Sequence, residues 1–423
     1  MAIKGSGSPM EAVDEYFDML IKSRFIEMFG HINLNEKNLP MKTLNEVCLL
    51  VTDGSHYSPA DEPDGKYPML SVKDLSNGKF NYSDCKHINQ GEYDKLVKDG
   101  CKPIKNDVLI AKDGSVFQKS MIITDEIDQV ILSSIAIIRP DTDVANPVYL
   151  ERYLMSDYVK EDVINNYTTG TAIRRIILKN LAKLKLIVPE IEAQNEFASF
   201  VQQVDKSKAI VQKCIDKYDL LVKSRFIEMF GTRNEYAKKW QMKPFTACCD
   251  VLYGYPFNSQ LFNDNGEGMP LIRVRDINTA FSNTYTTENV SPIYQVHDGD
   301  ILVGMDGDFY AKIWSSGTAL LNQRTCKMKG RRDVVNDLFM LHYLNPELLE
   351  IHRNTASTTV KHLSAKEINK MQMPLPPIEL QEQFVAFVKQ VDKSKFEVVQ
   401  SLLRLKSKYI RTETPSKRTD CDL

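Results

Sequence analysis

The chain has 423 residues, 43% hydrophobic and 26% charged, which is the composition of a globular protein with room for two or three domains. Its formal net charge of −2 does not by itself indicate a nucleic-acid partner, so a DNA-binding site would have to come from local patches. No run approaches the ~18 apolar residues of a membrane span, and eight cysteines without metal-ligand spacing favour reduced thiols in a cytosol.

The N-terminal segment begins with the linker-like string MAIKGSGSP and reaches KSRFIEMFG at residues 22–30. The same nine residues recur at 223–231. Nine identical residues do not recur by chance, so the chain contains a duplicated unit. A glycine ends each copy, as is typical where a helix stops.

The region that follows, residues 31–168, alternates short apolar runs with turns rich in Gly, Pro, Asp and Asn. The runs are YPMLSV, DVLIA, SMIIT and VILSSIAIIRP. This pattern predicts strands of an antiparallel or mixed sheet, and a helix is predicted near residues 147–165. We therefore expect a first mixed α/β module with its own core.

A long central helix is predicted from residue 196 to 230, because its apolar residues recur in steps of three and four. Roughly 35 helical residues would be ~50 Å long. A second module, residues 232–356, follows with the runs PLIRV, DILVGM and AKIWS and a helix near residues 337–352. The loops of this second module differ in sequence from those of the first. One segment is nevertheless similar in both, because GDILVGMDG at residues 299–307 resembles NDVLIAKDG at residues 106–114.

The C-terminal region repeats the central helix. Residues 168–208 align with 355–395 at a constant offset of 187, and both contain QVDKSK. The central copy continues into KSRFIEMFG, whereas the C-terminal copy continues only into KSKYI, and the missing piece lies at the N-terminus. This circular order favours pairing of the helices within one chain over a coiled coil between separate chains, which is the alternative.

The expected fold is α+β, with two mixed α/β domains separated by two long helices packed as an antiparallel coiled coil in a pseudo-twofold circular organisation. The predicted division is residues 1–30 (linker-like segment and helix end), 31–168 (first mixed module), 169–231 (central helical region), 232–356 (second mixed module), 357–411 (C-terminal helical region) and 412–423 (polar tail).

The candidate binding residues lie in polar loops of the two modules, because Arg, Lys, Asn, Gln and His address base edges while hydroxyls and cations hold phosphates. Solvated loops are commonly polar as well, so only their matched placement in both modules favours function. The candidates in the first module are Ser55, His56, Tyr57, Lys112, Ser115, Thr171 and Arg174. Those in the second module are Tyr255, Asn258, Arg273, Arg275, Lys312, Gln323, Arg324 and Lys361.

Catalytic signatures are missing from the sequence. It has no GxxxxGK[ST] phosphate loop, no GxSxG, no HExxH and no Asn/Asp-Pro-Pro-Tyr/Phe motif of an amino-methyltransferase. The histidines are scattered, which does not suit a metal site. We expect a non-enzymatic recognition protein without a metal or cofactor of its own.

Two different modules, two near-identical helical regions and a circular order resemble the specificity (S) subunits of type I DNA restriction-modification systems. The resemblance rests on the two copies of KSRFIEMFG and QVDKSK, on PEIEAQNEF and PPIELQEQF, and on the Asp–Gly pairs at residues 113–114 and 306–307. It implies that each domain reads one half of a split double-stranded DNA target. It also implies that the helices dock methyltransferase (M) subunits, which recruit restriction/translocase (R) subunits.

The resemblance further implies that S-adenosylmethionine, ATP and Mg are bound by those partners and that the complex is cytoplasmic. A long helical spacer suits half-sites about one DNA turn, ~34–36 Å, apart, and different loops predict an asymmetric target. The alternatives are a non-enzymatic coiled-coil adaptor and a stand-alone DNA-binding regulator. A self-sufficient nuclease is disfavoured by the missing motifs.

Overall fold

The computed structural model describes residues 9–76, 78–170, 174–355 and 360–412. It forms two compact units, a first of residues 17–207 and a second of residues 208–423 together with the first 16. Each unit contains one of the predicted sheet modules and part of the long helices.

The sheets of the first unit are antiparallel or mixed, as predicted. Its strands are β1 (Met41–Thr43), β2 (Cys48–Asp53), β3 (Tyr67–Leu70), β4 (Leu75–Ser76), β5 (Lys79–Phe80), β6 (Lys86–Ile88), β7 (Val108–Ala111), β8 (Ser120–Ile122), β9 (Val130–Ile131), β10 (Ile135–Pro140), β11 (Thr168–Thr169), β12 (Arg175–Ile176) and β13 (Lys185–Ile187). The main sheet has the order β2-β10-β7-β8, and β3 pairs with β6 and, in parallel, with β9. Strand β7 is buried throughout, because both of its faces are covered and all four residues are apolar.

The second unit repeats this arrangement. Its strands are β14 (Gln241–Pro244), β15 (Cys249–Tyr253), β16 (Phe262–Asn263), β17 (Met269–Ile272), β18 (Tyr285–Thr286), β19 (Gln295–Val296), β20 (Ile301–Gly304), β21 (Ala311–Ile313), β22 (Ala319–Leu321), β23 (Thr325–Gly330) and β24 (Gln372–Leu375). The sheet β15-β23-β20-β21 has the connectivity of β2-β10-β7-β8, and β17 pairs in parallel with β22 as β3 does with β9. The two modules are therefore structural relatives, as their weak sequence echoes indicated.

The helices are α1 (Pro9–Phe29), α2 (Gln90–Lys98), α3 (Pro147–Leu154), α4 (Asp157–Asp162), α5 (Leu178–Ala182), α6 (Ile191–Phe230), α7 (Tyr236–Lys239), α8 (Phe245–Cys248), α9 (Val274–Thr279), α10 (Asp337–Asn354), α11 (Ala365–Lys370) and α12 (Ile378–Thr412). Short 3-10 turns cover Leu44–Glu46, Ser259–Leu261 and Pro292–Tyr294, and a π-turn covers Val163–Tyr167. None of the helices in the described ranges combines the length and the apolar character of a membrane-spanning segment.

Two helix boundaries differ from the sequence prediction. The central helix begins at Ile191 rather than at residue 196, two residues after Pro189, and its 40 residues make it about 60 Å long. The helix predicted near residues 147–165 is interrupted, because the Ser156 side chain caps a second helix by accepting a hydrogen bond from the Val159 amide.

The long helices pair antiparallel within the chain. In the second unit Phe226 of α6 lies 5.3 Å from Phe384 of α12, ring centre to ring centre. Further along α12, Lys395 Nζ donates to Asp219 Oδ1 of α6 at 2.8 Å. Residue numbers therefore rise along α12 while they fall along α6, which means that the two helices are antiparallel. The predicted pairing of the duplicated helices within one polypeptide is confirmed.

The first unit contains the same pairing between α1 and the N-terminal part of α6. Phe25 lies 5.5 Å from Phe197, and the Arg24 guanidinium lies 5.8 Å from the centre of the Phe200 ring. The equivalent contact in the second unit joins Arg225 to Phe387 at 5.7 Å. The N-terminal copy of KSRFIEMFG thus completes a second helical pair, as the circular order predicted.

The half-buried His342 makes the stability of the second unit pH-dependent. Burial near Phe226 and Phe384 lowers its pKa below the usual 6.5, although Asp219 acts in the opposite direction. A depressed pKa means that the unfolded chain binds the proton more readily, so the free energy of unfolding falls as pH drops below about 6.5. We expect the urea midpoint to decrease between pH 7.5 and 5.5, and His342→Leu to reduce that decrease. Replacing the exposed His297 by Leu is the control, and an equal decrease in both variants would contradict the assignment.

Candidate nucleic-acid interface

Four chain segments meet at one end of the main sheet in each unit, and we call each meeting point a loop junction. The first loop junction consists of residues 54–57, 112–115, 132–135 and 174–176. The second consists of residues 254–258, 305–308, 322–325 and 361–363. The predicted polar loops of each module are therefore brought together by strand connectivity and not by proximity in sequence.

Backbone hydrogen bonds of 2.7–3.0 Å hold both junctions in the same frame. In the first, amide-to-carbonyl bonds join Ser55 to Ile131, Ser133 to Ser55, Lys112 to Ser134, Gly114 to Arg174 and Ile176 to Lys112. In the second, the bonds join Tyr255 to Leu321, Gln323 to Tyr255, Met305 to Arg324, Gly307 to Lys361 and Leu363 to Met305. Each bond of one junction has its counterpart in the other, so one backbone frame carries two different sets of side chains.

Glycines make this frame possible at its closest approach. A Cβ atom on Gly54 would lie 2.1 Å from the Ile131 carbonyl oxygen, and one on Gly254 would lie 2.0 Å from the Asn322 carbonyl oxygen. Both distances are far inside contact range, so a larger residue would separate the segments.

Two candidates of the first junction are engaged internally. The buried Ser55 hydroxyl donates to the Tyr57 carbonyl at 2.6 Å and accepts from the Tyr57 amide at 3.1 Å, which fixes the turn. Lys112 is only 6% exposed, with Nζ 3.2 Å from Asp53 and 3.4 Å from Asp113. A DNA contact by Lys112 would require both ion pairs to rearrange.

The other candidates of the first junction are more accessible. His56 is exposed beside Asp53, and the exposed Tyr57 ring has Lys95 Nζ 4.7 Å from its centre. Ser115 is half-buried and Arg174 is exposed. The candidate Thr171 lies outside the described residues.

The second junction borders a cleft of about 720 Å³ that collects four of the candidates. Arg273, Arg275, Gln323 and Arg324 line it, and all four are exposed. Asp306 and Asp308 line the same cleft, so the cations face carboxylates. Arginine and glutamine are the side chains that address base edges in pairs of hydrogen bonds.

The remaining candidates of the second module do not line this cleft, and their side chains have internal partners. The Tyr255 ring packs edge-on against Phe257 and at an angle to Tyr294, and the Asn258 side chain accepts from the Gln260 amide. Lys312 Nζ donates to the Asn278 carbonyl, and Lys361 Nζ donates to the His352 carbonyl at 2.6 Å.

The structure brings two further residues to the junctions that the sequence prediction missed. Arg175 Nε lies 4.0 Å from Asp113 Oδ1, and His362 Nδ1 lies 2.6 Å from Asp306 Oδ1. Arg175 and His362 are partners in the offset-187 alignment, and each carboxylate belongs to an Asp–Gly strand end. Aligning the two repeats with each other could have indicated both of these pairs from the sequence.

Comparison with known proteins identifies the family. Residues 36–217 and 237–404 match the family described as type I restriction modification DNA specificity domain, and each match covers most of one module and most of the long helix after it. The chain belongs to this family. The predictions of a type I specificity subunit and of a non-catalytic recognition role are thereby confirmed, and the adaptor alternative is not favoured.

Relatives are found in both bacteria and archaea. The specificity subunit of the EcoBI type I restriction enzyme of Escherichia coli is 39% identical over 160 residues, which are 37% of this chain and 34% of that protein. The chain thus matches about a third of the EcoBI subunit's length. A putative MjaX specificity subunit of Methanocaldococcus jannaschii is 19% identical over 77% of this chain and 80% of that protein.

Among solved structures, the type I S subunit from M. genitalium has a TM-score of 0.43 and 13% identity over 90% of this chain and 97% of that chain.

Within the described part of the chain, no group of three or more His, Cys, Asp or Glu side chains is placed to hold a metal ion.

Proposed function

We propose that the chain reads a bipartite, asymmetric double-stranded DNA target for a type I restriction-modification complex, with each loop junction facing one half. The observation that carries this proposal is the shared backbone frame with different side chains. A common frame lets two domains approach DNA in the same way, and different side chains let them select different bases.

The first junction presents His56, Tyr57, Arg174 and the newly found Arg175, whereas the second presents a larger group of arginines with Gln323. Guanidinium and amide groups suit direct base contacts, while lysine and hydroxyl groups suit phosphates. We propose that the candidates of both modules form the DNA surface, with the buried Ser55 and Lys112 shaping the first junction. The modules that carry these surfaces correspond to residues 31–168 and 232–356, and the helical regions to 169–231 and 357–411.

The helices offer a matched surface for the methyltransferase partners. Met19 of α1 and Leu220 of α6 occupy the same position before KSRFIEMFG and are 59% and 61% exposed. Ile26 and Ile227 follow two helical turns later on the same face and are partly exposed. Large apolar side chains exposed at equal positions of a duplicated sequence suit a repeated protein contact.

We propose that each of these faces docks a methyltransferase subunit and that restriction/translocase subunits join through it. S-adenosylmethionine, ATP and Mg would then be bound by the partners. We further propose that the complex acts in the cytoplasm, where it reaches chromosomal DNA.

The test is to coexpress the chain with its methyltransferase subunits and to map the methylated sequence in the host genome. We expect one bipartite sequence with two different halves, absent when the chain is omitted. The double variant R174A/R175A should alter or relax one half only, because loss of a base contact costs ~1–3 kcal/mol. Methylation that does not depend on the chain, or a target that is unchanged after replacing a complete junction, would refute the proposal.

A further inference from the structure

An arginine of the second junction occupies an unfavourable backbone conformation. The Thr325 amide donates to the Asn322 carbonyl at 3.2 Å and closes a four-residue turn between β22 and β23. Arg324, the third residue of this turn, has a φ of 71°. Glycine or asparagine is favoured there, because a Cβ atom in the left-handed region collides with its own backbone.

The side chain of Arg324 is held in a defined direction. Its Nε lies 3.6 Å from Asp306 Oδ2, and its Nη1 lies 3.3 Å from His362 Nδ1. His362 Nδ1 is also 2.6 Å from Asp306 Oδ1, so its tautomer decides whether it donates to the carboxylate or accepts from the guanidinium. The Arg324 side chain remains 55% exposed in the cleft beside Arg273 and Gln323, so N–H groups stay available.

The same turn carries a second cost. The side-chain oxygen of Asn322 is buried and has no hydrogen-bond partner among the described residues. A buried acceptor without a partner is unfavourable. The positive φ of Arg324 and the unpaired side-chain oxygen of Asn322 both destabilise the fold. A gain in stability therefore does not explain why both occur in one turn.

The first junction shows that the frame does not require either feature. Leu132 and Ser134 occupy the positions of Asn322 and Arg324, as the matching backbone hydrogen bonds show. Leu132 has no polar side-chain atom, and Ser134 does not share the positive φ. Strain that is confined to one of two equivalent turns indicates a function of the side chains in that turn.

We propose that Arg324 reads a guanine in the half-site bound by the second junction, and that Asp306 and His362 are positioning residues for its guanidinium. This rests on the proposed function. A planar guanidinium donates two parallel hydrogen bonds to the O6 and N7 of guanine, which requires a fixed orientation. A phosphate can also be held by a lysine acting as a point charge, so a phosphate contact would not require the planar fork of an arginine in a strained turn.

The experiment uses the chain in complex with its methyltransferase subunits and compares R324G, R324K and D306N. The matched control is S134G at the equivalent position of the first junction. Thermal unfolding of each full-length chain is measured beside methylation of the target and of targets with one base changed in the second half. Glycine is suited to the observed φ, so we expect R324G to melt at or above the wild-type temperature.

We expect R324G to lose the discrimination between guanine and the other bases at one position, about tenfold to a hundredfold in the wild type, with the first half unchanged. R324K should bind DNA but show the same loss, because a lysine lacks the planar fork, and D306N should lose part of the discrimination. S134G should leave the second half unchanged.

Three results would overturn the inference. They are a second half-site without guanine, retention of the full target by R324G, and full discrimination by R324K. A wild-type chain that directs no methylation at all would instead refute the proposed function itself, so the two failures are distinguishable.

Discussion

Replacing Phe384 by alanine is expected to destabilise the second unit by about 3–5 kcal/mol, the cost of deleting a buried aromatic side chain and leaving a cavity. Phe384 is 0% exposed, and its ring lies 5.2–5.6 Å from those of Phe226, Phe230 and His342. These rings join α6, α12 and α10, so the cavity would open where the helical pair meets the module. Both tryptophans, Trp240 and Trp314, belong to the second unit, and their fluorescence during urea denaturation reports its unfolding.

The control for this prediction lies on the same helix. Phe396 is 62% exposed, so Phe396→Ala removes the same atoms without opening a cavity, and we expect a change below about 0.5 kcal/mol. Equal effects of the two substitutions would show that the α6–α12 contact does not stabilise the unit.

Replacing Gln381 by leucine is expected to destabilise the second unit by about 3 kcal/mol. The buried Gln381 side chain accepts from the Asn336 amide at 2.9 Å and donates to the carbonyls of Val334 and Pro376 at 3.1 and 3.0 Å. It therefore fixes the start of α12 to the loop before α10. Leucine has a similar volume but leaves these backbone groups without partners in the interior.

The matched control is Gln383→Leu, since Gln383 is exposed on the same turn of the helix. We expect that variant to unfold at the wild-type urea concentration, again followed by tryptophan fluorescence. A Gln381→Leu chain as stable as the control would mean that packing alone fixes the helix entry.

The first unit contains the same three hydrogen bonds around Gln194, which explains why this glutamine recurs in the duplication. Gln194 accepts from the Asn146 amide at 2.9 Å and donates to the carbonyls of Val144 and Pro189. The sequence alignment paired Gln194 with Gln381 but could not distinguish a buried structural amide from a surface one. In each unit, two of the three backbone groups that bond this glutamine belong to a loop 45 to 50 residues away in the chain, and the third is only five residues away.

The sequence by itself determined the helices, their pairing and the family. Nine identical residues and a seam of apolar side chains are local signals, and the direction of pairing follows from the circular order of the repeats. The strands of both modules were also indicated, because their apolar runs are bounded by turn residues. The break at Ser156 was missed, since it depends on one side-chain cap.

The contents of the two loop junctions were decided only by the tertiary structure. Sequence chemistry selected Arg324 and Gln323, which are exposed in the cleft, but also Ser55 and Lys112, whose side chains are engaged internally. It did not select Arg175 and His362, which the structure brings to the junctions. The physical reason is that each junction is formed by backbone hydrogen bonds between segments far apart in the chain, so burial and partners depend on contacts that composition and spacing do not encode.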